Sequence, residues 1–216
     1  MKDIKLVIFD LDGLLFDTEK LGIEAWEFAI NQIGLNISRE GLISRIGRKL
    51  IDTRKIIIES VDGEFDFEER LEVVKNYMLN YAKKHGMPIK KGVLELLSYL
   101  EETNVSRCVA TSRGKNSAGE FLKLANIYNR FDYIVTGEMI ERGKPEPDTF
   151  LYASKQLNIN PSECLVLEDS FNGVIAGVRA GMKTIMIPDM IPATKEIEEV
   201  IYAKCDSLLD VIELMK

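Results

Sequence analysis

The feature that most constrains this chain is an apolar run near its start that ends in two carboxylates. In residues 4–19, IKLVIFDLDGLLFDTE, the run is followed by Asp10, Asp12 and a turn at Gly13. Two like charges at the end of a buried strand repel and lose solvation unless a cation or a reacting group compensates them. An ordinary strand followed by an acidic turn is the alternative, since Asp-Gly is a common turn pair.

Length and composition narrow the function classes. The 216 residues are enough for one large domain or two unequal ones. A net charge of -7 without a dense Lys/Arg block argues against binding to nucleic acid or to an anionic membrane. No apolar run reaches transmembrane length, and the acids of the first run interrupt any signal-peptide pattern, so we expect a cytoplasmic protein. Three scattered cysteines indicate core thiols in a reducing compartment: Cys108, Cys164 and Cys205.

Residues 19–84 have the periodicity of helices. A second amphipathic stretch follows Asp66, and Gly86 and Pro88 end the pattern. The spacing predicts a bundle of about four helices. The first apolar face consists of Leu21, Ala25, Trp26, Ala29, Ile30 and Ile33.

After residue 86 apolar strands alternate with helices, which predicts a parallel sheet covered on both faces. The first strand lacks a local partner and most simply joins that sheet, so the helical block becomes an insertion. The predicted fold class is therefore α/β, with a core of residues 1–16 and 87–216 and a helical cap of residues 17–86. Predicted strands are 105–111, 133–136, 164–167 and 183–187; predicted helices are 92–102, 170–180 and three that begin near 116, 147 and 208.

Polar residues stand where these strands end. Ligands collect beyond the carboxyl ends of parallel strands, so these residues are expected to converge. Carboxylates, hydroxyls and one ammonium suit a hard divalent cation plus a phosphoryl group, and oxygen ligands favour Mg²⁺. In strand order the residues are Asp10 and Asp12, then Thr111 and Ser112, then Lys144, then Glu168 and Asp169.

The convergence suggests roles for the side chains. Asp10, rigid at a strand end, is the candidate nucleophile that would form an aspartyl-phosphate. Asp12 is expected to protonate the leaving oxygen and then to activate water. Thr111, Ser112 and Lys144 would hold the phosphoryl oxygens. Singly, each residue has a structural explanation, such as a strand-end threonine or a surface lysine. Four sites in this order are hard to explain by chance.

The ordered motifs resemble those of the haloacid dehalogenase (HAD) superfamily, in the branch of β-phosphoglucomutase-like phosphatases. The resemblance implies a Rossmann-like core, a helical cap inserted after the first motif, Asp10 as nucleophile and Asp12 as acid/base. It implies Mg²⁺ on Asp10, the Asp12 carbonyl and Asp169, with Glu168 close by. The residues that carry it are Asp10-Leu11-Asp12-Gly13, Thr111, Lys144-Pro145 and Glu168-Asp169-Ser170, followed by Gly173 and Gly181.

Two positions depart from the family pattern. Leu14 replaces the usual threonine after the motif glycine, as in many members of this branch. The β-phosphoglucomutases carry a histidine a few residues after the Asp-Thr pair, and here Gly22 stands in its place. The only histidine, His85, lies at the far end of the predicted cap. This departure speaks against mutase activity.

Substrate selectivity is expected in the cap. The segment 46–49 resembles the cap loop that enters the site in this branch, and Arg48 could meet the distal polar part of a substrate. A solvated helix end explains Arg48 equally well. Arg113 and Asn116, just past the second motif, are further candidates for contact with the leaving group.

The favoured function is a Mg²⁺-dependent phosphatase for a small phosphorylated metabolite, either a sugar phosphate or a nucleotide-like compound. A phosphomutase acting on β-glucose 1-phosphate is the alternative, and a dehalogenase is disfavoured because the second catalytic aspartate has no role there. A binding or regulatory protein that kept the fold is an alternative of another class. The acidic surface and the absence of a heptad seam favour a monomer.

Overall fold

A computed structural model of the chain describes residues 1, 3–46 and 50–216. The chain divides into two compact units. The first comprises Met1–Phe16 and Ile89–Lys216, and the second comprises Asp17–Pro88. We refer to them as the core unit and the helical unit. Among the described residues, no helix has both the length and the apolar character needed to cross a membrane.

The described residues form the following strands and helices. The core unit begins with β1 (Leu6–Phe9). The helical unit contains α1 (Thr18–Asn31), α2 (Arg39–Ser44), α3 (Leu50–Ser60) and α4 (Phe67–His85). The core unit continues with α5 (Val93–Glu102), β2 (Ser106–Ala110), α6 (Lys115–Leu124), β3 (Tyr133–Val135), α7 (Asp148–Gln156), β4 (Cys164–Glu168), α8 (Phe171–Arg179), β5 (Lys183–Met186), α9 (Lys195–Glu198), β6 (Ala203–Lys204) and α10 (Leu208–Met215).

The strands of the core unit form one parallel sheet in the order β3-β2-β1-β4-β5-β6. Strand β1 lies in the interior of the sheet, where Ile8 is opposite Cys108 of β2 and Val166 of β4. Every residue of β1 and β4 is buried. Burial on both faces explains why these strands read as continuous apolar runs. The predicted α/β fold is confirmed.

The side chains of successive residues in β1 point to opposite faces of the sheet. Leu6 and Ile8 join a buried cluster that includes Phe150 of α7. On the other face, the ring of Phe9 meets that of Phe131 edge-on, with 5.7 Å between centroids. Packing on both sides makes the end of β1 a rigid support for the residue that follows it.

Strand β6 and helix α9 are not predicted from the sequence. Strand β6 has two residues and pairs with β5, where Ala203 lies opposite Ile185. Helix α9 has four residues, about one turn. Neither is long enough to show a hydrophobic period, which is why the pattern did not reveal them.

The helical unit contains a tryptophan close to the start of α4. The indole of Trp26 packs on the ring of Phe67, with centroids 5.4 Å apart. Phe67 opens α4, and the side chain of Asp66 caps that helix by accepting from the backbone N–H groups of Glu68 and Glu69. The cap satisfies donors that the first turn otherwise leaves without partners.

We predict that Asp66→Ala destabilises the helical unit by about 1 kcal/mol, because the first turn of α4 loses its capping acceptor. Trp26 is the only tryptophan in the chain, so its fluorescence during urea unfolding reports this unit. Glu64→Ala, which changes an exposed acid two residues earlier, is the control and should shift the free energy by less than about 0.5 kcal/mol. Equal shifts for the two variants would contradict the capping role.

Candidate active site

The first motif forms a tight loop directly after β1. The backbone N–H of Asp10 donates to the carbonyl of Leu167 at 3.1 Å, which continues the β1–β4 pairing by one residue. The loop closes where the N–H of Gly13 donates to the carbonyl of Phe16 at 2.9 Å. Gly13 has φ +82°, and a Cβ there would lie 2.1 Å from Oδ2 of Asp169. Only glycine fits this backbone conformation and close approach.

Lys144 connects the ends of three strands. Its Nζ donates to Oδ1 of Asp10 at 2.5 Å, to Oε1 of Glu168 at 2.5 Å and to the carbonyl of Ala110 at 3.0 Å. The lysine is only 7% exposed, and its ammonium lies 4.9 Å from the ring centroid of Phe150. Lys144 is therefore a buried ion-pair partner with three oxygen acceptors and not a solvated surface lysine.

Burial and charge act together on the ionisation of this pair. Burial raises the pKa of Asp10 to about 7. Lys144 opposes that rise, whereas the carboxylates of Glu168 and Asp12 add to it. Burial alone would lower the pKa of Lys144, but the charges of Asp10 and Glu168 outweigh it and hold that pKa above its ordinary value. Lys144 is therefore a permanent cation, and further positive charge would lower the pKa of Asp10.

Glu168 is fully buried, and both of its carboxylate oxygens accept hydrogen bonds. One of its oxygens accepts from Lys144. The other accepts from the backbone N–H of Asp169 at 3.1 Å and from the N–H and hydroxyl of Ser170 at 3.1 and 3.0 Å. A Cβ on Gly173 would lie 1.9 Å from the Glu168 carboxyl carbon, so glycine makes room for this side chain. Glu168 thereby fixes Lys144 and the start of α8.

A divalent cation fits the acidic cluster. Asp10, Glu168 and Asp169 are buried, and each offers a carboxylate oxygen within 4.8 Å of the others. When all three carboxylates are ionised, these side chains and Lys144 together carry an excess of two negative charges, which a divalent ion would offset. Both oxygens of Glu168 accept hydrogen bonds, one of them from Lys144, so Glu168 is the weakest candidate ligand of the three. The side chain of Asp12 is not part of this cluster.

Asp12 has a different partner from Asp10. Its two carboxylate oxygens accept from Nε and Nη2 of Arg113 at 3.0 and 2.6 Å. The third guanidinium nitrogen, Nη1, donates to the hydroxyl of Ser117 at 2.9 Å. The sequence suggests Arg113 as a candidate for contact with the leaving group, and it does not reveal this pairing. The two residues are 101 positions apart, so no local pattern signals it.

The other predicted residues are placed as follows. Thr111 is buried after β2, and its hydroxyl oxygen accepts from the backbone N–H of Arg113 at 3.0 Å, which leaves the hydroxyl hydrogen available to a ligand. Ser112 and Asn116 are exposed. Arg48 lies outside the described residues.

Comparison with known proteins identifies the family. A model of the haloacid dehalogenase-like hydrolases matches residues 7–187, and the chain belongs to that family. The predicted superfamily, and with it the hydrolase class, is confirmed.

Relatives and solved structures agree with this family. The chain is 29% identical to the "Phosphorylated carbohydrates phosphatase" of Thermotoga maritima, over 84% of each chain. It is 30% identical to "(DL)-glycerol-3-phosphatase 2" of Arabidopsis thaliana, over 85% of this chain and 79% of that one. The crystal structure of a beta-phosphoglucomutase from Clostridium difficile superposes with a TM-score of 0.76 and 25% identity, over 98% and 96% of the chains.

The space beside Glu168 gives a testable prediction about two helical glycines. Gly173→Ala should destabilise the core unit by about 1–3 kcal/mol, because the new methyl group overlaps the Glu168 carboxyl. Gly119→Ala in α6 is the matched control, since its Cβ would meet only the Tyr128 ring at 3.7 Å. That substitution should stabilise by roughly 0.5–1 kcal/mol, the usual gain for alanine in a helix. Urea unfolding followed by circular dichroism measures both, and shifts of the same sign would refute the prediction.

Proposed function

We propose that this chain is a Mg²⁺-dependent phosphatase that hydrolyses small phosphorylated metabolites through an aspartyl-phosphate on Asp10. One observation carries the proposal. The Asp10 carboxylate ends a central strand, is 8% exposed and lies 2.5 Å from a buried ammonium, with two further carboxylates beside it. A nucleophilic carboxylate needs this combination of fixed position and positive charge, because both it and a phosphate monoester are anions.

In the first step an oxygen of Asp10 attacks phosphorus, and the bond from phosphorus to the ester oxygen breaks. Asp12 gives its proton to the departing oxygen, so the product leaves as an alcohol. The Lys144 ammonium and the Thr111 hydroxyl donate to the phosphoryl oxygens and offset the charge that develops there.

In the second step a water molecule attacks the phosphorus of the aspartyl-phosphate. Asp12, now ionised, takes the proton from that water, and the bond between phosphorus and the Asp10 oxygen breaks. Inorganic phosphate leaves, Asp10 is again a free carboxylate and Asp12 is again protonated. The same side chain thus serves as acid and then as base.

The carboxylates of Asp10 and Asp169 and the backbone carbonyl of Asp12 would hold the metal ion. When bound, Mg²⁺ reduces the repulsion between the nucleophilic carboxylate and the anionic substrate. Oxygen donors alone favour Mg²⁺ over softer transition metals. Glu168 contributes negative charge to the site and keeps Lys144 in place.

The names of the relatives support the substrate class. Proteins similar over most of this chain are named as phosphatases of phosphorylated carbohydrates and of glycerol 3-phosphate. Both are small hydroxylated esters, and we propose a sugar or polyol phosphate as the first substrates to test, with nucleotide-like esters next. A reducing, cytoplasmic location is part of the proposal, and three buried cysteines without disulfides support it.

A phosphomutase is the second candidate, because the chain is also similar to a beta-phosphoglucomutase. The residue at position 22 speaks against it, because this chain has glycine where the β-phosphoglucomutases carry a histidine. A Cβ there would lie 2.7 Å from Nη2 of Arg45, and that guanidinium is 3.4 Å from a carboxylate oxygen of Glu19. A histidine at this position, as in the β-phosphoglucomutases, would therefore require Arg45 to move.

The test is phosphate release from a panel of sugar, polyol and nucleoside phosphates with Mg²⁺. Asp10→Asn should lower turnover at least about 1,000-fold, the order seen when an enzyme loses its nucleophile. EDTA should abolish turnover and added Mg²⁺ restore it. Asp3→Asn, an exposed change in the same N-terminal segment, should leave turnover unchanged.

Full activity in Asp10→Asn would refute the nucleophile assignment. Activity that survives EDTA would refute the metal requirement. Conversion of β-glucose 1-phosphate to the 6-phosphate faster than phosphate release would favour the mutase instead.

A further inference from the structure

The pairing of Asp12 with Arg113 is a fork-to-fork ion pair at the edge of the site. Nε and Nη2 of the guanidinium each donate to a separate oxygen of the carboxylate, at 3.0 and 2.6 Å. The side chains are 22% and 24% exposed, so the pair is only partly open to water. A bidentate contact of this kind fixes the plane of the carboxylate as well as its position.

The guanidinium is itself held by its surroundings. Nη1 donates to Ser117, and the guanidinium carbon lies 4.6 Å from the ring centroid of Phe121. Phe121 in turn meets the ring of Phe16 edge-on at 6.5 Å. Phe16 closes the loop of the first motif by accepting from Gly13. Arg113 thus contacts two residues of α6, Ser117 and Phe121. Phe121 in turn links it through Phe16 to the loop that carries Asp12.

We propose that Arg113 is a positioning residue that aims the Asp12 carboxylate at the ester oxygen and later at the attacking water. The proposal rests on the phosphatase function proposed above. Proton transfer requires the carboxylate to be within hydrogen-bond reach of the reacting oxygen. Asp12 follows the end of β1 on a turn, so the backbone alone fixes its side chain less firmly than the strand fixes Asp10.

Arg113 acts through Asp12 and not on the substrate. Three of its nitrogens already donate to Asp12 and Ser117. Direct contact with the leaving group, as the sequence suggested, would instead make Arg113 matter for the reaction with or without Asp12. The two roles predict different values of kcat/KM, which reports the steps up to departure of the leaving group. In those steps a positioning residue matters only while Asp12 does and only when the leaving group needs a proton.

The test measures kcat/KM for two esters: the alkyl phosphate hydrolysed fastest in the panel above, and p-nitrophenyl phosphate. Arg113→Gln should lower kcat/KM about 100-fold for the alkyl ester, the order expected for a misplaced catalytic group. The loss for the aryl ester should be below about 5-fold, because nitrophenolate leaves without a proton. Arg113→Lys, which can keep one of the two contacts, should fall between Arg113→Gln and the wild type.

A double-variant cycle isolates the dependence on Asp12. In the Asp12→Asn background, Arg113→Gln should cause no further loss, because the group it positions is already gone. Arg130→Gln is the matched control outside the site. Arg130 likewise donates to a carboxylate, from Nε and Nη2 to the two oxygens of Glu101 at 2.8 and 2.7 Å. Its Nη2 also donates to the hydroxyl of Ser98 at 3.0 Å. This variant should keep full activity on both esters.

Several results would overturn the positioning role. These are equal losses for the two esters, a further loss from Arg113→Gln in the Asp12→Asn background, or a comparable loss in Arg130→Gln. Normal turnover by Arg113→Gln would overturn this role and leave the proposed function intact. A wild-type protein that hydrolyses neither ester would instead overturn the proposed function, and the positioning role with it.

Discussion

The ammonium of Lys144 is the interaction on which the site depends. It donates to Asp10 and Glu168, 2.5 Å from each, and also to the backbone carbonyl of Ala110 at 3.0 Å. Without it, three buried carboxylates would face one another at the edge of the sheet, at a high cost in free energy. With it, the cluster keeps an excess negative charge that suits a divalent ion. The same cation is placed to receive a phosphoryl group at Asp10.

The two aspartates of the first motif have separate partners, and this separation explains their different roles. Asp10 forms an ion pair with the buried Lys144 and is part of the acidic cluster, whereas Asp12 forms an ion pair with the partly exposed guanidinium of Arg113. A nucleophile needs a fixed position and an adjacent cation. A proton carrier needs orientation and access to solvent and to the ester oxygen. One tight loop places the two aspartates in these different environments. The loop can turn so close to Asp169 because Gly13 has a positive φ and no Cβ.

Much of the core unit follows from sequence, because buried parallel strands read as apolar runs and their carboxyl ends converge. That rule brought Asp10, Lys144 and Glu168 together, although Asp10 and Lys144 are 134 positions apart. It could not show that the lysine lies between the two acids, nor that Arg113 grips Asp12. Those contacts depend on side-chain directions that no local pattern encodes. Strand β6 was missed because two residues cannot display a period.

The most direct test of the central claim is to trap the intermediate. The protein is mixed with its best phosphate ester and Mg²⁺, quenched with borohydride, which reduces an acyl phosphate to an alcohol, and digested for mass spectrometry. We expect homoserine at position 10 in the wild type and none in Asp10→Asn. An acyl phosphate trapped at another carboxylate, or rapid phosphate release with position 10 always recovered as aspartate, would contradict Asp10 as the nucleophile.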